Sequence, residues 1–211
     1  MGETRRVVVA GATGAVGRTV LSMEAGSGLE LIPLVRPRSA TSLNHPRAVA
    51  LELDSPELAR SLQGAAAVMQ LIGTMRKRFA SGDTYETSDI GTTRSLVAAA
   101  KQAGVKHFIL LSSVGAGSPT GAYLKAKAEA ERLVRESGLG YTLVRPSAFE
   151  DREGVRLPGM KAVTRLFGWS RYEPITLAEL ASALIKVARE GGPLNAVLEG
   201  DSLWAQVTRR S

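Results

Sequence analysis

Short apolar runs rich in β-branched residues alternate along this chain with longer segments whose apolar positions recur at helical spacing. Arg6–Ala10 predicts a strand and Ala15–Glu24 a helix. Glu30–Val35 predicts a second strand, stopped by Pro37, and Ala48–Leu53 a third. Ser55-Pro56-Glu57 then opens a helix, a capping residue followed by proline at the first position. Ala66–Leu71 predicts a fourth strand closed by Gly73, and a long helix follows from about Thr84 to Ala103, ending at Gly104. His107–Leu111 is almost continuously apolar, the pattern of a strand covered on both faces. A helix from about Gly121 to Glu136 stops at Gly138, and Tyr141–Arg145 predicts the sixth strand. Beyond Pro146 the pattern loosens into a charged loop over Glu150–Pro158, an amphipathic helix over Leu177–Arg189 and a last strand over Asn195–Glu199. Such alternation predicts an α/β fold, a doubly wound parallel sheet with right-handed crossovers.

The junction between the first strand and the first helix sharpens this picture. Val7-Val8-Val9-Ala10 runs into Gly11-Ala12-Thr13-Gly14-Ala15-Val16-Gly17, three glycines spaced three apart. Gly11 permits a tight turn, Gly14 lets the backbone approach a pyrophosphate, and Gly17 lets helix and strand pack closely. Backbone N–H groups at the start of the helix then face the anion. The expected architecture is therefore Rossmann-like. One domain over residues 1–211 is expected, with 147–175 as a small C-terminal substrate-side cap.

Composition narrows the function classes. The 211 residues include no cysteine, which excludes disulfides and thiolate metal sites. His45 and His107 are the only histidines, so no metal site is expected. No apolar run reaches the roughly 20 residues of a membrane span, and the short run after Arg5 and Arg6 is not a signal peptide. A cytoplasmic protein without membrane partners is expected. The net charge of +7 is scattered and aromatics make up only 5% of the chain, which argues against a nucleic-acid partner. The densest basic run, Arg76-Lys77-Arg78, reads as a solvated loop or as an anion contact beside the site.

Ligands in such sheets bind at the carboxyl ends of the strands, where the winding reverses. Arg36 follows Gly17 at the end of the second strand, where an acidic residue would hold a ribose 2′-hydroxyl. Arginine there suits a 2′-phosphate instead, so NADP (NADPH) is the expected cofactor, with Arg38 available to assist. Asp54 closes the third strand, as an acceptor for the adenine amino group or as a helix cap. Gly73-Thr74 either lets cofactor ribose or phosphate pass close to the backbone or is a plain turn. The fifth strand ends in Ser112-Ser113, and Tyr123 and Lys127 follow on one helical face, four residues apart. An ammonium near a phenol favours the ionised form and tunes it for proton transfer, while a serine hydroxyl on the adjoining strand holds the substrate oxygen.

With these pieces in order, the chain resembles the atypical short-chain dehydrogenase/reductases, specifically the small NAD(P)H-binding group of NmrA-like and Tat-interacting-protein-like proteins. The resemblance rests on Gly11–Gly17, Leu34-Val35-Arg36, Leu71-Ile72-Gly73-Thr74, Lys106–Ser113, Tyr123–Glu129 and Leu143-Val144-Arg145-Pro146. It implies that Ser113 is the catalytic serine, Tyr123 the acid/base and Lys127 the residue that tunes it and holds the nicotinamide ribose. It further implies that Ser112 and the segment Pro146, Ser147, Ala148 and Phe149 flank the cofactor. One departure is Ser88, ahead of Gly91-Thr92, where many relatives carry asparagine. The expected function is reduction or oxidation of a small carbonyl or alcohol substrate by a monomer or homodimer. A non-catalytic NADPH-binding sensor and a nucleotide-sugar epimerase or dehydratase are the competing readings.

Overall fold

The β-branched run Arg5–Ala10 forms the central strand β1 of a sheet in a computed structural model that describes residues 4–73, 84, 86–150 and 169–208. Seven strands lie in the order β3-β2-β1-β4-β5-β6-β7, every pairing parallel. The others are β2 (Leu29–Val35), β3 (Val49–Ala50), β4 (Ala67–Gln70), β5 (His107–Leu111), β6 (Gly140–Val144) and β7 (Ala196–Leu198). The winding reverses beside β1, between β2 and β4, so the ligand crevice of this topology opens at the carboxyl end of β1.

Alternation along the strands serves two apolar layers. Val7 and Val9 join Leu31, Met69 and Ile109 beneath α1 (Ala15–Ser22) and a later helix over Leu177–Glu190. Val8 and Ala10 join Ile32, Val68, Phe108 and Leu143 beneath α2 (Leu58–Ser61), α3 (Thr92–Gln102) and α4 (Gly121–Arg135). The Leu177–Glu190 helix, α5, starts in a capping box in which Thr176 Oγ1 accepts from the Glu179 N–H at 3.1 Å. It ends at Gly191 in the left-handed conformation. A last single turn, α6 (Asp201–Trp204), has no counterpart in the sequence reading.

Three expected elements change shape. The third strand pairs only at Val49–Ala50, because it is the sheet edge and has one neighbour. The long helix predicted over 84–103 begins as a π-helical segment, Glu86–Gly91, before α3. In the segment 147–175, expected to cap the substrate side, Phe149 pairs with Ile175 in an isolated parallel bridge and Ser170–Tyr172 forms a 3₁₀ turn. Residues 151–168 lie outside the described residues, as do Thr74 and Arg76-Lys77-Arg78. Among the described residues no helix is long and apolar enough to cross a membrane.

The opposite, amino-terminal end of the sheet holds a buried titratable group. His107 Nε2 lies 2.8 Å from Thr142 Oγ1, whose own hydrogen goes to the Pro193 carbonyl at 2.6 Å. Nε2 is therefore the protonated nitrogen. Burial, reinforced by the nearby Arg5 charge, lowers the His107 pKa from 6.5 to about 4. Because the folded value lies below the unfolded one, protons favour unfolding. Stability is fully present above pH 6.5 and falls as the pH drops towards 4, by up to about 3 kcal/mol. Denaturant titrations at pH 7 and pH 4.5 check this: the loss between them is expected to shrink in His107→Gln, and an equal loss in both proteins contradicts it.

Candidate active site

Gly11 bends the chain at φ +89°, and a Cβ there would lie 2.7 Å from the Leu71 carbonyl carbon, so the turn is pressed against the end of β4. At Gly17 a Cβ would lie 2.7 Å from Ala12 Cα, which seats α1 on the turn. Gly14 is different. Its side is open, with only Gly11 O at 3.4 Å from a Cβ position. The Gly14 N–H closes the turn onto Gly11 O at 3.1 Å, and Gly14 begins α1 with no side-chain cap and no acidic residue in the first turn. Ala12 and Val16 are buried beneath the turn, while Thr13 is half-buried and Ala15 exposed. An uncapped helix start above an open glycine is a cradle for an anion.

Around this turn, Arg18 bridges outward. Its Nε donates to Thr13 O at 3.1 Å and its Nη2 to Ser42 O at 2.7 Å, tying the glycine turn to the 3₁₀ segment Pro37–Ser42. Arg36 stands half-buried at the start of that segment, directly after β2, and Arg38 is exposed two residues on. Asp54 is exposed beyond β3. The hydroxyl acceptor in its turn is the neighbouring Ser55, which takes the Glu57 N–H at 3.2 Å.

The ends of β5 and β6 carry the remaining candidates. Ser112 and Ser113 diverge. The buried Ser112 hydroxyl donates to Glu131 Oε1 at 2.6 Å. Glu131, fully buried on α4, also takes Arg145 on both oxygens at 2.8 and 2.6 Å, and Arg145 reaches Glu199 at 3.0 Å. The hydrogen bonds to Glu131 hold the Arg145 guanidinium even further above its usual range. The Ser112 side chain is thus part of a polar cluster that fastens β5, β6 and α4 together. Ser113 is half-buried, its Oγ 3.3 Å from Val114 O. Pro146 O accepts from the Val114 N–H at 3.0 Å, Ser147 Oγ donates to Glu173 O, and Ala148 O accepts from the Ile175 N–H at 3.1 Å. Pro146–Phe149 is therefore held on both sides.

Tyr123 and Lys127 share a face of α4, with the ammonium 5.9 Å from the ring centroid. The Tyr123 side is open, at 37% exposure, whereas Lys127 is buried. Lys127 Nζ pairs with Asp89 Oδ1 at 2.8 Å and donates to Leu111 O at 3.3 Å. Sequence reasoning missed Asp89, which is 1% exposed. Paired with the carboxylate, the ammonium presents a dipole rather than a net charge to the ring.

The family described as NAD(P)H-binding matches residues 11–190. A (4-alkanoyl-5-oxo-2,5-dihydrofuran-3-yl)methyl phosphate reductase of Streptomyces griseus is 31% identical over 173 residues, covering 77% of this chain and 55% of that protein. The chain thus spans about half the length of that curated relative. Protein FMP52 of Candida albicans, described as mitochondrial, is 26% identical and covers 87% of each chain. Among solved structures, the NADPH-dependent quinone oxidoreductase of Escherichia coli in complex with NADPH superposes with a TM-score of 0.66 at 20% identity, covering 92% of this chain and 68% of that one. That likeness is one of fold.

Proposed function

The chain belongs to the NAD(P)H-binding family, and from that premise we propose that it is an NADPH-dependent reductase of a small carbonyl compound. One juxtaposition supports the reading above all others. Ser113 stands two residues beyond the end of β5, and Tyr123 and Lys127 stand one helical turn apart on α4, the helix that follows. The relative named as a reductase supports reduction as the direction.

The glycine turn fits a dinucleotide, because Gly14 leaves an open side at an uncapped helix start. The bound cofactor supplies the hydride. The amides at the start of α1 would hold the pyrophosphate, Lys127 would donate to the nicotinamide ribose, and Pro146–Phe149 would flank the nicotinamide. Asp54 would accept from the adenine amino group, and the backbone at Gly73 and Ser112 would border the ribose and phosphates. Ser113 donates a hydrogen bond to the substrate oxygen. Tyr123 is placed to give its phenolic proton to that oxygen, so that hydride chemistry supplied by a bound cofactor would yield an alcohol. Solvent returns the proton to Tyr123 through its exposed side.

Arg36 supplies the preference for the 2′-phosphate. A charge-assisted bond of this kind is worth roughly 1.5–3 kcal/mol. Arg36→Ala is expected to weaken NADPH by about tenfold or more while leaving NADH unchanged. Calorimetric titration with both cofactors checks this, and equal losses for both remove Arg36 from the argument. The reading as a whole is tested by following NADPH absorbance across a panel of small aldehydes, ketones and quinones. A protein that binds NADPH yet consumes it no faster than buffer with any of them is a sensor instead.

A further inference from the structure

Asp89 and Lys127 form a buried ion pair at the floor of the cleft, and the surroundings of Asp89 are built as firmly as the pair itself. The π-helical segment Glu86–Gly91 sets Asp89 just ahead of α3, and extra turns of this kind recur at functional sites. Thr93 Oγ1 donates to the Asp89 carbonyl at 2.5 Å, and Gln70 Nε2, from the end of β4, donates to Thr93 Oγ1 at 2.8 Å. On the other side, Lys127 reaches from α4 to Asp89 and to the Leu111 carbonyl at the end of β5. A continuous polar chain therefore runs from β4 through the start of α3 and α4 to β5.

The far side of the ammonium faces the backbone of Gly73, where a Cβ would lie 3.2 Å from Nζ. Lysine has three donors. Leu111 O takes one of them and Asp89 pairs with the ammonium at 2.8 Å, which leaves a donor, among the described residues, for a ligand hydroxyl at the cleft. Burying an ammonium is costly without a partner of opposite charge, and Asp89 is that partner.

We propose that Asp89 is the positioning residue of this site: it holds Lys127 charged and aimed past Gly73 at the cofactor ribose while cancelling its net charge. The proposal rests on the cofactor reading above and names a residue that reading does not use. Asp89 acts on the cofactor through Lys127, so its removal and the removal of Lys127 have one consequence in common.

Two measurements test this. The first needs no cofactor. Reductive methylation followed by peptide mass spectrometry is expected to leave Lys127 unlabelled in the wild type. In Asp89→Asn it is expected to label Lys127, with the labelling of Lys101, Lys106 and Lys125 unchanged. The second is NADPH affinity by calorimetry. Asp89→Asn is expected to weaken NADPH by about tenfold, Asp89→Glu to recover most of the loss, and Asp89→Asn/Lys127→Met to bind NADPH as Lys127→Met does alone. The double variant buries no lone charge, so it keeps the test open should Asp89→Asn fold poorly. Lys127 still protected in Asp89→Asn, unchanged NADPH affinity in that variant, or additive losses in the double variant each overturn the proposal. Wild-type protein that does not bind NADPH overturns the cofactor reading instead, and the methylation result then decides separately whether Asp89 holds Lys127.

Discussion

Valine at position 14 is expected to weaken NADPH binding sharply and leave the protein folded. The backbone at Gly14 has φ −75° and ψ 168°, extended values that valine adopts readily, and a Cβ there meets only Gly11 O at 3.4 Å. The fold loses at most about 1 kcal/mol, from a poorer residue at the helix start. The same two methyl groups stand where a pyrophosphate must approach the first amides of α1. Overpacking at a close contact costs about 1–3 kcal/mol, so affinity is expected to fall by up to about a hundredfold. Calorimetry with NADPH and a thermal melt by circular dichroism measure the two effects separately. Gly17→Ala provides the contrast, because its Cβ would lie 2.7 Å from Ala12 Cα and must push α1 off the turn. That variant loses stability first. Unchanged NADPH affinity in Gly14→Val moves the cofactor away from the glycine turn.

The different fates of these glycines show where sequence reasoning works and where it stops. The strand–turn–helix unit is legible because each of its constraints is local: an apolar run, a required positive φ at Gly11 and a tight contact at Gly17. Strand β5 is legible for the same reason, and its observed limits, His107–Leu111, are those the apolar run predicts. Asp89 is hidden because its role is made by packing. It lies among the polar residues Glu86, Ser88 and Thr92, and spacing back from Gly91 draws attention to Ser88 instead. The π-helical segment that sets Asp89 leaves no trace in apolar periodicity. Ser112 shows the converse. It stands in the expected position, but its hydroxyl goes to Glu131, a partner on another helix. Helix α6 is a single turn, too short to display any period.

Replacing Tyr123 with phenylalanine is expected to lower turnover by roughly 10²–10⁴-fold, the usual contribution of a positioned general acid. The change removes one hydroxyl from a side chain that is 37% exposed, so folding and NADPH affinity are expected to match the wild type. The ring keeps its place 5.9 Å from the Lys127 ammonium, because that contact uses the π face rather than the hydroxyl. A defect confined to kcat therefore marks the loss of the proton, and a rise in KM alone marks the loss of a binding contact. Ser113→Ala is expected to act in the same direction with a smaller effect, since the serine steadies the substrate oxygen without transferring its proton. Lys127→Met differs in kind: it removes the ammonium paired with the buried Asp89 carboxylate and so costs stability and NADPH affinity together. The contrast separates a proton donor at the open side of α4 from a charge held beneath it. Tyr123→Phe with wild-type turnover assigns the proton to solvent and leaves the protein's catalytic part to hydride positioning alone.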